Sequence, residues 1–198
     1  ADYRTEYKSV QEAVRQYMTG NKGILTDGPG VEIYSQHVQV FSILTKTVDL
    51  KKGKEALLNT IKNKEDYPQC SVAMSFYLFR ALQETGLYEY TREYWGIWRR
   101  MLEKHSTTCI EDETQERSDC HAWGALILYE LPSIILGVRP ASAGYRTVAI
   151  KPVPGYLTEA EGTVITPDGE IYVHWVKEEN GKLKIDYKIP DGIDVVTL

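Results

Sequence analysis

Apolar side chains recur at helical spacing through the first two thirds of the chain and then switch to strict alternation. Tyr3, Tyr7, Val10, Val14, Tyr17 and Met18 mark one helix face, and Gly20 ends the run. The turn-rich stretch 21–30 follows. Its Asp27-Gly28-Pro29-Gly30 lacks the Lys-Ser/Thr of a phosphate-binding loop and no strand pattern precedes it, so it reads as a plain loop. Ser35 is a good N-cap for a helix showing Val38, Phe41, Leu44 and Val48. A short helix is predicted over about 54–63. Pro68 introduces a strongly apolar helix over 72–84, stopped by Gly86. Another is predicted over 88–104. The last, capped by Asp119, reaches Leu136 and stops at Gly137, with Pro132 bending or breaking it.

Segments 72–84 and 121–136 are apolar on most sides and should be buried, whereas 3–19 and 54–63 are amphipathic. This predicts inner and outer helices stacked in two layers. From about Arg146 the period becomes two. Leu183, Ile185, Tyr187 and Ile189 alternate with Lys182, Lys184, Asp186 and Lys188. Turn signals fall at Pro167-Asp168-Gly169, Asn180-Gly181 and Pro190-Asp191-Gly192, so an antiparallel meander of about four or five strands is expected. The predicted class is mainly α with a C-terminal β region, helical over 1–140 and β over 141–198, with Arg139 fixing the join.

With 198 residues the chain can bury a core without a metal or disulfide staple. A net charge of −5 speaks against a nucleic-acid partner, and the cluster Lys46, Lys51, Lys52, Lys54, Lys62 and Lys64 reads as a solvated helix surface. No apolar run of membrane-spanning length and no signal peptide is present, so no membrane partner is expected. Cys70, Cys109 and Cys120 form no even disulfide framework, though one pair is possible, and no spacing suits zinc. Neither cofactor nor metal is expected. The 14 Tyr and 4 Trp against 3 Phe are unusual. Such amphipathic rings suit sugar faces, although most should pack in the core.

The candidate chemistry lies between Ser106 and Trp123. Thr107-Thr108-Cys109-Ile110-Glu111 precedes a charged loop, and Ser118-Asp119-Cys120-His121-Ala122-Trp123 opens an apolar helix. One acid, one imidazole and one indole thus meet at the mouth of a helical core. Glycoside cleavage needs such a grouping, but ordinarily with two carboxylates. A lone Glu in a charged loop is ordinarily solvated, and the flanking residues are what single out Glu111. Asp112, Glu113 and Glu116 read as solvated charges. His121 either touches a ligand or caps the helix. Trp123, Trp95 and Trp98 are residues of the kind that usually pack inside. Gln36 and His37 line a pocket mouth or start a helix.

These residues resemble the late barrel helices of bacterial α-L-rhamnosidases, glycoside hydrolase family 78. The resemblance runs from Ser35-Gln36-His37 through Phe76-Tyr77, Ala81-Leu82 and Gly86 to Trp98 and Met101. It continues in Thr107-Thr108-Cys109-Ile110-Glu111, Cys120-His121-Ala122-Trp123-Gly124-Ala125 and Gly137-Val138-Arg139-Pro140, then Gly144-Tyr145 and Ile150-Lys151-Pro152. The family places Trp before the Glu, where this chain has Ile110. The resemblance implies part of an (α/α)6 barrel followed by a small antiparallel β-sandwich or sheet. It implies an inverting mechanism with Glu111 as general base, and His121, Trp123, Gln36 and His37 as contacts to a rhamnoside substrate. The family's general acid lies in an acidic motif of the first half of the barrel, with no counterpart here. A fragment inactive alone is therefore expected, in keeping with an abrupt start at Ala1-Asp2-Tyr3. Six helices would leave apolar inner faces uncovered, which predicts self-association. The alternative is a non-catalytic carbohydrate-binding or scaffold module.

Overall fold

The computed structural model describes residues 2–112 and 118–196. Helix α1 spans Tyr3–Met18 and is capped by Asp2, whose carboxylate accepts from the Arg4 N–H. None of its side chains is buried. It is tied to its neighbour by polar bonds: Tyr7 Oη and Gln11 Nε2 donate to the Thr45 carbonyl, and Arg15 donates to that of Thr47. The loop after α1 is as expected. Asp27 accepts from the backbone and hydroxyl of Ser35 and so braces the start of α2.

Helix α2 (Gln36–Leu44) begins at the expected Ser35 cap. Helix α3 (Leu50–Lys62) begins four residues before the expected position, because Asp49 accepts from the Lys52 N–H and caps it there. A β-carbon on Gly53 would lie 2.7 Å from Ile43 Cγ1, so glycine lets α3 close on α2. Helix α4 (Ser75–Glu84) starts later than Val72, after a turn in which the Ser75 N–H bonds the Val72 carbonyl. It is the hub of the helical core. Leu78, Phe79, Ala81 and Leu82 are fully buried among Val40, Leu57, Trp95 and Trp98.

The helix expected over 88–104 divides. Residues Tyr88–Glu93 form a 3-10 turn, and α5 covers Gly96–Glu103. Tyr88 and Thr91 are buried at a spacing of three, the period at which 3-10 side chains line up. The rings of Trp95 and Trp98 then close edge-on around Phe79, at centroid distances of 5.4 and 6.4 Å.

The last helical stretch also departs from expectation. A 3-10 turn over Ala122–Leu126 leads into the short α6 (Ile127–Glu130) and a π-turn over Leu131–Ile135 containing Pro132. His121, not Asp119, stands at its N-cap, and without a side-chain cap bond. The stretch is not buried all round: Leu128 is 75% and Leu131 45% exposed. At its centre Glu130 is fully buried and held by Arg80 Nη2 at 2.5 and 2.6 Å and by the Tyr88 hydroxyl. Burial pushes its carboxyl up from the usual range, against the pull of Arg80 and Tyr88. The Arg80 guanidinium also packs against the rings of both Phe76 and Tyr129, 5.6 and 5.5 Å from their centroids.

The β region forms two small sheets. Strand β1 (Val138–Pro140) pairs antiparallel with β2 (Thr147–Ile150), which pairs parallel with β6 (Asp194–Val196). Strands β3 (Glu159–Thr166), β4 (Gly169–Lys177) and β5 (Leu183–Lys188) form the antiparallel meander. The expected meander of four or five strands is thus three, because β6 returns to the other sheet. Both sheets share a core of Val138, Val148, Ile171, Val173 and Trp175 with Ile134 and Ile135. The Trp175 indole donates to the Ile135 carbonyl at 2.8 Å and anchors the meander to the last helical stretch. Arg139 lies on β1, its Nε buried without a hydrogen-bond partner in the described residues. The close join is made by Gly137 at φ 78°, where a β-carbon would meet Pro152 N at 2.2 Å.

Among the described residues, no helix is long and apolar enough to cross a membrane. Of the tyrosines, Tyr34, Tyr67 and Tyr88 are buried. Tyr3, Tyr7, Tyr17, Tyr77, Tyr129 and Tyr187 are exposed, so fewer rings fill the core than expected.

Candidate functional site

The segment 106–123 is folded back on itself by backbone pairing. The Glu111 N–H donates to the Ser118 carbonyl at 2.9 Å, and the His121 N–H to that of Cys109 at 2.7 Å. The Thr108 hydroxyl adds a bond to the Asp119 carbonyl. These bonds draw together Glu111 and His121, ten positions apart, from the two arms of the loop. Glu113 and Glu116, read as solvated charges, lie outside the described residues.

Glu111 Oε2 lies 3.8 Å from His121 Nδ1, within ion-pair range but beyond a direct hydrogen bond. Both side chains are about one fifth exposed, at 22% and 18%. The His121 and Trp123 rings sit at a centroid distance of 5.3 Å, tilted by 43°. Trp123 is 67% exposed, so it is neither core nor inter-helix packing. A partly shielded carboxylate, an imidazole and an open indole face thus form one cluster. Such a group can hold a water near the acid and offer a ring face and a polar edge to a sugar. The helix that follows opens as a tight turn with only four α-helical residues behind it, so it gives Glu111 little support from a helix dipole.

Two residues that the sequence singles out only as part of the resemblance, Trp98 and Gly124, support the cluster through contacts made by the fold. Trp98 donates its indole N–H to the Gly124 carbonyl at 2.8 Å, and so fixes the start of the last helical stretch to α5. A β-carbon on Gly124 would lie 2.8 Å from Cys109 Cβ and 3.1 Å from the Ile110 carbonyl oxygen. Glycine there lets the Glu111 arm lie directly on the turn that carries Trp123. The Cys-His-Ala-Trp-Gly spacing was visible, but the need for closeness depends on a contact fifteen residues away. Beside the same loop, Lys104, His105, Ser106, Thr107, Thr108 and Asp119 border an open polar basin of about 560 Å³.

The other two candidates lie elsewhere. Gln36, expected to touch sugar, is 0% exposed. Its amide N–H groups donate to Thr60 Oγ1 at 3.1 Å and Tyr94 Oη at 2.9 Å, and its Oε1 accepts from the Cys70 N–H at 3.1 Å. That network leaves no face for a ligand. His37 lines a separate surface basin with Asp27, Ser35, Val38, Phe41 and Pro68. All three cysteines are free thiols. No group of three or more potential metal ligands occurs among the described residues.

Comparison with known proteins places this geometry in context. Residues 137–196 match the model of the bacterial alpha-L-rhamnosidase C-terminal domain. An alpha-L-rhamnosidase of Formosa agariphila is 26% identical over 206 aligned positions, covering 93% of this chain and 22% of that protein. The crystal structure of a GH78 family rhamnosidase of Bacillus sp. GL1 matches with a TM-score of 0.75 and 29% identity, over 96% of this chain and 22% of that one. The Streptomyces avermitilis alpha-L-rhamnosidase, solved with L-rhamnose, shares the fold with a TM-score of 0.71 at 21% identity, over 98% of this chain and 20% of its own. The chain therefore spans about a fifth of the length of these relatives. Residues 137–196 are thus similar to the bacterial alpha-L-rhamnosidase C-terminal domain, and the chain as a whole is similar to about a fifth of a family 78 rhamnosidase.

Proposed function

We propose that this chain is the C-terminal part of an inverting glycoside hydrolase that removes terminal α-L-rhamnose from glycosides or polysaccharides. In this reading residues 1–140 are the end of an (α/α)6 barrel and residues 141–198 its C-terminal β domain. Glu111 is the general base, activating the attacking water. His121 contacts sugar hydroxyls and Trp123 flanks the ring. The observation that carries it is the convergence of these three side chains, in a chain similar over 96% of its length to a family 78 rhamnosidase. An inverting enzyme needs its acid about 6.5–9.5 Å from the base, with room for water between. One carboxylate cannot fill both roles, so the acid comes from residues outside these 198 and the chain alone is inactive. Gln36 has no part in binding, because its amide is fully engaged in the core.

An aryl α-L-rhamnoside assay tests the reading. This chain should show no turnover, whereas a chain extended upstream should be active and lose at least about 10³-fold in kcat on Glu111→Gln. Full activity of the extended Glu111→Gln variant removes Glu111 from the mechanism. An inactive extended chain that still binds sugar would favour a carbohydrate-binding module instead.

A further inference from the structure

A second cavity lies away from the Glu111 cluster, where α5, the last helical stretch and the 151–158 connector meet. It has a volume of about 240 Å³ and is walled by Trp95, Trp98, Leu102, Ile127, Leu131 and Leu157. Its walls come from both the helical and the β half of the chain. Trp95 and Trp98 are buried at its base, while Leu102 is 73% exposed at its mouth. The cleft is open at the Leu102 side and apolar along its walls, and its volume exceeds the roughly 150 Å³ that already holds a benzene ring in a closed apolar cavity.

Charge at the mouth narrows the ligand further. The chain carries net −5, yet no lining residue is acidic. Exposed Arg99 lines the opening, and the guanidinium of Arg92 lies 5.8 Å from the ring centroid of Tyr156, another wall residue. Glu93, next to Arg92 in sequence, pairs with Lys64 at 2.5 Å. An apolar chamber with a cationic rim suits a ligand with an apolar ring and an anionic head. We propose that this cavity binds small aromatic carboxylates, the ring between Trp95, Trp98 and Leu131 and the carboxylate on Arg99. The site is independent of the rhamnosidase reading and needs no catalysis.

Titration of the full chain with 3-phenylpropionate tests it, read on the indole N–H signals of the four tryptophans. The carboxylate should shift Trp95 and Trp98 with a Kd of about 1 mM, within reach of a ligand of roughly eleven heavy atoms. Trp123, which is not on the wall, should stay unmoved. The uncharged alcohol 3-phenylpropan-1-ol should bind about tenfold more weakly, and Arg99→Gln should remove that difference. Leu131→Trp should fill the chamber and abolish binding of both. Because Arg99 is exposed, its variant keeps the fold and the comparison stays decisive even if Leu131→Trp unfolds. No shift of Trp95 and Trp98 at saturating ligand overturns the site. Equal binding of acid and alcohol overturns its anionic character.

Discussion

Gln36 shows how a single residue can change role between sequence and structure. Beside Ser35 and His37 it reads as a polar group at a pocket mouth, yet it links Thr60, Tyr94 and Cys70 inside the helical core. Two of those neighbours titrate abnormally. Burial pushes the Cys70 thiol up to about 12 and the Tyr94 hydroxyl to about 12. The unfolded thiol loses its proton near 8.5 and the unfolded phenol near 10. Between these values and 12 the native state holds protons that the unfolded state has released, so stability falls as pH rises. The expected loss is about 1.4 kcal/mol per pH unit from about 8.5, and about three times that well above 10, where Tyr94 and the buried Tyr88, also pushed up by burial, add to it. Urea unfolding at pH 8 and 10.5 should therefore differ by about 4 kcal/mol. Cys70→Ala should flatten the curve between pH 8.5 and 10, and a flat profile in the unaltered chain would count against a shifted Cys70 thiol.

At the scale of elements, local signals were legible wherever one residue decides. The Ser35 cap sets the start of α2, and the alternation of Leu183, Ile185 and Tyr187 marks β5. What sequence missed depends on distant partners. Asp119 has the chemistry of a cap, but the pairing of His121 with Cys109 moves the helix start beyond it. The parallel pairing of β6 with β2 joins segments more than forty residues apart, which turn signals cannot reveal. The candidate site was half visible for the same reason. Glu111, His121 and Trp123 stand out by type and spacing, whereas Gly124 and Trp98 support them through contacts that only the fold creates. The join between helices and sheets depends on another such glycine. At Gly137 both the positive φ and the Lys151–Pro152 backbone exclude a side chain. Gly137→Ala should cost at least about 3 kcal/mol, since it adds left-handed strain to a collision with backbone that cannot turn aside. Thermal unfolding checks this, and a variant within about 1 kcal/mol of the parent would show that the connector yields.

At the scale of the whole molecule, the distribution of exposed apolar side chains sets the remaining expectation. Val10 and Tyr17 on α1 are 62% and 61% exposed, and Leu102, Trp123 and Leu128 lie between 67% and 75%. Beside α1, an apolar groove of about 270 Å³ is lined by Val10, Val14, Met18, Leu25, Val38 and Phe41. Single exposed apolar residues are ordinary on a soluble protein, whereas contiguous patches find partners. Helix α1 is the element most open to such exchange, because polar bonds to Thr45 and Thr47 hold it and no side chain of it is buried. We propose that the chain self-associates through these helical faces, the expectation that an incomplete barrel carries. Sedimentation velocity across a hundredfold concentration range should show a dimer growing with concentration. Val10→Glu with Val14→Lys should shift that equilibrium toward monomer by at least about tenfold while the α4 core stays folded, because each charge would have to be desolvated to enter the contact. The Glu111→Gln variant, altered only in the loop, should dimerise as before. A monomer at every concentration, or a dimer indifferent to the α1 charges, would place the contact elsewhere or remove it.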